Sequence, residues 1–306
     1  MTADHESLSD ATREWLAVGR HENIAGHRIF VVEQGPDNPR PPEKRAAVVL
    51  LHGFPTSCYD WHGVMRLVRR QFRVFAADFL GFGLSDKPAA YGYSLFPQAD
   101  LLEELLQRLD VPAAHVVSHD MGTSVHCELL ARQAEERLTF HVERSTFLNG
   151  SMLQWLAKIT PLQELLANNA SLPQAIEFCR TALPGMYVAA LRGLMRRPEA
   201  ITERDAQVMD ELLRYQEGYL RLPALAGYMR ERYLYADRWV GVLEKTTSPL
   251  QFVWADGDPI AHVEMGRELA RRCPQAAYHE LPDLGHFLLI EDPVAVAERI
   301  EQFSLK

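Results

Sequence analysis

Residues Val116–Gly122 read V-V-S-H-D-M-G: a β-rich run ends, a helical run begins, and small residues stand two before and two after Asp120. Small side chains there are a steric requirement, because a tight strand-to-helix turn brings two elements close while its tip residue points away from the backbone. The turn also places the free N–H groups of the new helix beside the tip, where they stabilise an anion. The tip residue is an aspartate. Ser118 fills the first small position instead, which would leave a serine nucleophile facing the wrong way. An aspartate before a helix is also an ordinary N-cap, and the heptapeptide alone does not separate the two roles.

Outward from this turn, Ala46–Leu51 (AAVVLL), Phe72–Ala77 (FRVFAA) and Ala113–Ser118 (AAHVVS) have the composition of central strands. Trp61–Arg70, Pro97–Leu109 and Met121–Arg137 carry leucine or valine at helical spacing. This alternation generates a mainly parallel sheet covered on both faces. Trp15–Gly35 reads as a hairpin turning at Ala25-Gly26, with His27–Glu33 its better strand. After a strand at Phe140–Leu148 the chain becomes leucine-rich and mostly helical, punctuated by Pro161, Pro173, Pro184, Pro198 and Pro223. Alternation resumes with strand Pro249–Ala255, helix Val263–Arg272, strand Ala276–Leu281 and a last helix at Pro293–Phe303. The expected fold class is α/β: a core of residues 1–149 and 241–306, interrupted by a helical cap at 150–240.

Composition narrows the function classes. Of 306 residues, 47% are hydrophobic and 24% charged, enough to bury a substantial core. Lys and Arg total 32 against 41 for Asp and Glu, and no basic stripe tracks a phosphate backbone, so nucleic acid is not an expected partner. No stretch reaches the ~18 apolar residues of a membrane span, and Met1–Trp15 lacks the basic start and apolar run of a secretory signal. A soluble, cytoplasmic protein is expected, monomer or homodimer. Cys58, Cys127, Cys179 and Cys273 lie far apart with no C-x-x-C pair, so neither a zinc site nor a disulfide framework is expected.

Two further segments raise the odds that Asp120 reacts. Leu51–Trp61 reads L-H-G-F-P-T-S-C-Y-D-W, in which Gly53 and Pro55 fix backbone direction and Phe54 can aim its N–H into a cleft. With the N–H of Met121 it would form a two-donor oxyanion hole. Asp78–Pro88, D-F-L-G-F-G-L-S-D-K-P, is a glycine-punctuated loop that shapes the site without reacting. A histidine base belongs after the last strand, where Leu284–Phe287 (L-G-H-F) supplies His286; nucleophile, acid and histidine then follow in that chain order. His52 and His119 are expected to hold loops. The orienting acid should follow strand Pro249–Ala255, where A-D-G-D offers Asp256 and Asp258; Asp258 is favoured because Gly257 lets the later residue swing toward the histidine. Asn149 ends the preceding strand, but an amide cannot compensate an imidazolium charge.

With H-G-F-P, D-F-L-G-F-G-L-S-D-K-P, S-H-D-M-G, A-D-G-D-P and L-G-H-F in order, nearly the whole chain resembles the α/β-hydrolase branch containing epoxide hydrolases and haloalkane dehalogenases. S-H-D-M-G-T-S-V, E-L-L-A-R, L-N-G and R-W-V-G-V-L are also similar to the mesoderm-specific-transcript subgroup. Dehalogenases of the branch usually carry Trp after the nucleophile and often Asn after the oxyanion glycine; here these are Met121 and Phe54, without side-chain donors. The arginine that follows the nucleophile in fluoroacetate dehalogenases is absent too. Epoxide hydrolases need phenols in the cap, and of its tyrosines Tyr228, in L-A-G-Y-M-R-E-R, best matches their distal donor. No tyrosine lies near Asn168-Asn169, where the first donor falls; Tyr187 or an asparagine could substitute.

The resemblance implies that Asp120 opens a hydrophobic epoxide to an alkyl ester while Tyr228 protonates the oxygen. His286, oriented by Asp258, would then activate a water that releases a vicinal diol, with no metal or organic cofactor. Two alternatives share the pocket: a dehalogenase with a donor from Trp155 or Trp239, and a non-enzymatic binding protein, against which the intact set Asp120, Asp258 and His286 argues.

Overall fold

A computed structural model describes residues 8–36 and 47–305. Eight strands form one sheet: β1 (Arg20–Ile24), β2 (His27–Gln34), β3 (Ala47–Leu51), β4 (Arg73–Ala77), β5 (Ala113–His119), β6 (His141–Leu148), β7 (Leu250–Ala255) and β8 (Ala277–Leu281). Their order is β1-β2-β4-β3-β5-β6-β7-β8; β1, β2 and β4 pair antiparallel, and every pair from β4 to β8 is parallel. The expected α/β class with a mainly parallel sheet is the one seen. β3, β6 near its end and β7 are buried on both faces, which is why they read as continuous apolar runs.

Around the sheet stand α1 (Asp10–Val18), α2 (His62–Val68), α3 (Leu95–Arg108), α4 (Gly122–Ala134), α12 (Val263–Arg272), α13 (Leu288–Glu291) and α14 (Pro293–Ser304). Between β6 and β7 the chain makes α5 (Pro161–Ala167), α6 (Leu172–Thr181), α7 (Leu183–Arg192), α8 (Glu203–Arg214), α9 (Leu222–Leu225), α10 (Tyr228–Leu234) and α11 (Ala236–Lys245). The prolines that punctuate this helical insertion sit in the first turns of its helices, where a missing N–H costs nothing. Among the described residues no helix is long and apolar enough to cross a membrane.

The hairpin turns where expected, with Ala25 at φ 48° and Gly26 at φ 82°, the two positive values a tight two-residue turn demands. It does not begin at Trp15. Ser9 caps a helix over Asp10–Val18, and Trp15 packs from it onto Phe30 and Tyr59. The expected helix at Trp61–Arg70 is shorter, a 3-10 turn at Cys58–Trp61 running into α2. Ala46, expected to open β3, lies outside the described residues.

Sheet order places the site. The chain leaves β3 toward β4 on one side, and β5 pairs with β3 on the other, so the loops after β3 and β5 diverge and leave a crevice at their carboxyl ends. Register aligns those ends: Leu51 faces Ser118, His119 faces Leu148 and Leu148 faces Val253. A methyl group at Gly122 would lie 2.6 Å from the His52 carbonyl oxygen and 2.8 Å from that of Leu51, rigid backbone in both cases. Gly122→Ala is therefore expected to cost about 1–3 kcal/mol by overpacking, read as a lower denaturant midpoint; an unchanged midpoint would show that the crossing of α4 over β3 is not tight.

Candidate active site

Asp120 occupies the tip between β5 and α4 at φ 44° and is 3% exposed. Its carbonyl oxygen accepts from the Thr123 N–H at 3.1 Å, from the Thr123 hydroxyl at 2.6 Å and from the Arg232 guanidinium. Its Oδ2 accepts the Phe54 N–H at 2.8 Å. A methyl group at Gly53 would come within 2.7 Å of the Asp120 Cβ, so only glycine lets the two loops meet. Met121 is buried at the N-terminal end of α4, where helix amides carry partial positive charge.

His52 links the loops behind Asp120: its Nδ1–H donates to the Gly53 carbonyl at 2.8 Å and its Nε2 accepts the Phe79 N–H at 3.0 Å. His119 donates from Nε2 to the His286 carbonyl at 2.8 Å, and burial lowers its pKa to about 4. Both side chains tie loops together.

His286 Nδ1 lies 2.8 Å from Asp258 Oδ2. Asp258 is immobilised in turn: Oδ1 accepts the N–H groups of Ile260 (2.7 Å) and Ala261 (3.0 Å), and Oδ2 also accepts the Asn149 amide at 2.6 Å. Asn149, which reads as the wrong residue for an orienting acid, orients the acid, its own oxygen accepting the Ala255 N–H at 2.9 Å. Asp256 is exposed and accepts the Asp283 N–H. Burial alone would depress the His286 pKa, but the charge and hydrogen bond of Asp258, with Asp120 adding, raise it to about 9. Burial would likewise raise the Asp258 carboxyl; His286 and the Asn149 and Ile260 donors hold it below the usual range.

Ser118 does not reach this group. Its hydroxyl is 2.9 Å from His126 Nδ1, and His126 Nε2 is 2.9 Å from the Ser145 hydroxyl, while the ring stacks on Phe147. Burial pushes the His126 pKa well below 6.5. The chain of three is a neutral core contact between β5, α4 and β6.

The insertion brings Tyr228 over the loop after β3, its ring 5.5 Å from that of Phe54 and 1% exposed. Burial, with Asp120 adding, holds its hydroxyl well above the usual phenol range, and the Gln163 amide of α5 hydrogen-bonds it. Tyr187 donates to the Pro55 carbonyl at 3.2 Å. Trp239 donates its N–H to Glu128 at 3.0 Å, and Trp155 is 65% exposed. Two residues at the site escape a reading of the sequence alone, Gln163 and Arg232. Arg232 stands four positions after Tyr228 on α10, and that one-turn spacing puts both on the same helix face.

The family model of the alpha/beta hydrolase fold matches residues 46–293. The chain belongs to the α/β-hydrolase fold family. Among curated relatives, the putative hydrolase LipZ of Mycobacterium tuberculosis is 37% identical over 95% of this chain and 96% of its own. The mesoderm-specific transcript protein of Mus musculus is 34% identical over 94% of this chain and 86% of its own. The solved structure of the epoxide hydrolase CorEH overlays with a TM-score of 0.69 at 19% identity, covering 93% of this chain and 97% of that one; at such identity the likeness speaks for the α/β-hydrolase fold alone.

Because the charge of Asp120 helps to raise the His286 pKa, Asp120→Asn is expected to lower the imidazole titration midpoint below about 9. An NMR titration of the His286 ring checks this; a midpoint that does not fall would separate the two side chains.

Proposed function

We propose that this α/β-hydrolase is an epoxide hydrolase that converts hydrophobic epoxides to vicinal diols through an ester on Asp120. The observation that carries the reading is the placement of a carboxylate, not a hydroxyl, at the positive-φ tip, with one oxygen on the Phe54 N–H. In the first step Asp120 attacks an epoxide carbon as the C–O bond breaks, and Tyr228 passes its proton to the departing oxygen. In the second, His286 takes a proton from water, the water oxygen adds to the carboxyl carbon of Asp120, and the N–H groups of Phe54 and Met121 hold the oxyanion. Between the steps the His286 imidazolium proton passes through solvent to the Tyr228 phenolate. Collapse then expels the diol oxygen, which takes the proton of the hydroxyl just added to the carboxyl carbon, so the carboxylate returns and His286 ends protonated by the water it activated. Asp258 keeps the imidazole oriented. Residues 150–240 act as the cap that supplies Tyr228 and excludes water.

Dehalogenation draws less support. Neither Phe54 nor Met121 has a side-chain donor for a halide, the Trp239 N–H is engaged by Glu128, and Trp155 faces solvent. A purely binding role leaves the His286–Asp258 pair and the three further donors on Asp258 without a purpose.

Asp120→Ala is expected to abolish turnover, and Ser118→Ala to leave the reaction class unchanged. His286→Gln should open one equivalent of styrene oxide and stall, making the enzyme heavier by the substrate mass on a peptide containing Asp120. Tyr228→Phe should slow ring opening on the order of a hundredfold and accumulate nothing. Intact-protein mass spectrometry beside parallel assays with a bromoalkane and a nitrophenyl ester reads all of these. If wild type turned over an epoxide and the His286 variant never held an adduct, the ester mechanism would be wrong.

A further inference from the structure

Arg232 is the one side chain of the insertion hydrogen-bonded to the backbone of the nucleophile among the described residues, and it is 4% exposed. Its Nε donates to the Ser124 hydroxyl at 2.8 Å while Nη2, on the same edge of the guanidinium, donates to the Asp120 carbonyl. Nη2 is also 3.5 Å from the Thr123 hydroxyl. A planar fork bound by one edge to the tip residue and to the first turn of α4 fixes their relative orientation. The same Nη2 lies 3.7 Å from Asp120 Oδ1, too far for a hydrogen bond. It attracts that oxygen without occupying the lone pair that would attack, while Oδ2 is held by Phe54. The guanidinium carbon sits 4.7 Å above the Tyr228 ring, so one turn of α10 carries both the proposed acid and this clamp.

We infer that Arg232 is a positioning residue for Asp120, holding the nucleophile in its attacking orientation only while the insertion is docked on the core. The inference rests on the ester mechanism proposed above. A buried arginine is expensive to desolvate, and here it sits against a backbone turn whose positive φ is strained for an aspartate unless its surroundings enforce it. Five polar contacts hold Asp120: two from Thr123, one each with the Leu148 carbonyl, the Phe54 N–H and Arg232, and the last alone comes from the insertion.

The same arrangement gives Arg232 a second effect. The charged and titratable groups that face His286 are Asp258, Asp120, Arg232, His119 and the buried Asp60. His119 is neutral in its contact with the His286 carbonyl, and Asp258 keeps its charge throughout. Forming the ester removes the Asp120 charge, which leaves the Arg232 cation unopposed beside the imidazolium and favours loss of its proton when a base is needed.

The test compares Arg232→Gln, Arg232→Lys and Ser124→Ala, each checked for folding by circular dichroism and thermal unfolding. In a His286→Gln background, Arg232→Gln should slow formation of the styrene oxide adduct about a hundredfold with little change in substrate affinity, the effect of misplacing a reacting group. Arg232→Lys should recover part of that rate. In the wild-type background the acid limb of ester hydrolysis should move to higher pH in Arg232→Gln and stay in place in Arg232→Lys, because the lysine keeps the cation. Should Arg232→Gln not fold, Ser124→Ala keeps the guanidinium and loosens its edge, with adduct formation expected to slow about tenfold. Hydrogen exchange at the amides of Met121–Ser124 supplies a readout free of chemistry and should quicken in Arg232→Gln. Faster exchange with no adduct in any variant would keep the clamp and sink the ester mechanism. An unchanged adduct rate and unchanged exchange in a folded Arg232→Gln, or an unchanged rate in Ser124→Ala, would overturn the inference.

Discussion

The site depends on the backbone reversing between β5 and α4 within one residue. An aspartate at φ 44° is a strained tip, and the strain propagates as a demand for small residues on every side. Gly53 must let the loop after β3 pass the Asp120 Cβ, Gly122 must let α4 cross the carbonyls of Leu51 and His52, and Ser118 must tuck into the core. The return is a carboxylate lifted clear of its own backbone, with an amide from a neighbouring strand end on one oxygen. No flexible tether could hold that geometry; a turn squeezed between two strands and a helix can.

Around that turn the chain uses two bodies to hold one set of loops. The sheet presents Asp120, Asp258 and His286 at adjacent carboxyl ends, and the insertion grips the loops from above. The Leu194 carbonyl accepts the His286 N–H at 2.9 Å, and Glu291 accepts the N–H groups of Arg196, Arg197 and Gly285, each at 2.9 Å. A methyl group at Gly285 would lie 2.5 Å from the Leu194 oxygen, so the contact is backbone against backbone. From the far side α1 holds α8 through Ser9 and Glu211, and Tyr59 holds Asp205 at 2.7 Å. Movement of the insertion would therefore be felt by the imidazole loop as well as by Asp120.

What the sequence made legible follows from how each residue is carried. Asp120, Phe54, Asp258 and His286 belong to loops whose glycines and chain order are constrained by the sheet, so their positions can be read before any coordinates. Arg232 and Gln163 ride on helices of the insertion and Leu194 on the turn after α7, where nothing in local composition says which face meets the core. A one-turn spacing from Tyr228 was the only clue to Arg232. Asn149 was legible as a residue that cannot itself balance an imidazolium, but not as the donor to the carboxylate beside it. The helix at Asp10–Val18 was missed although Ser9-Asp10 is a sound helix start, because the strand-like run that follows it drew the boundary too early.

The electrostatic state of the site bears on which kind of nucleophile it serves. A serine or cysteine must give its proton to the histidine in the first step, which requires a neutral imidazole in the resting enzyme. Asp258 and Asp120 raise the His286 pKa and so favour its protonated form, which works against that role. A carboxylate asks nothing of the histidine at that stage, since attack on carbon needs no deprotonation. The raised value is sustained partly by Asp120 itself, so in the ester mechanism proposed above an attack that consumed the Asp120 charge would also remove part of what keeps His286 protonated. In that proposed sequence the base would be released by the step that creates the need for it, which requires the first reacting group to be a carboxylate and not a hydroxyl or thiol.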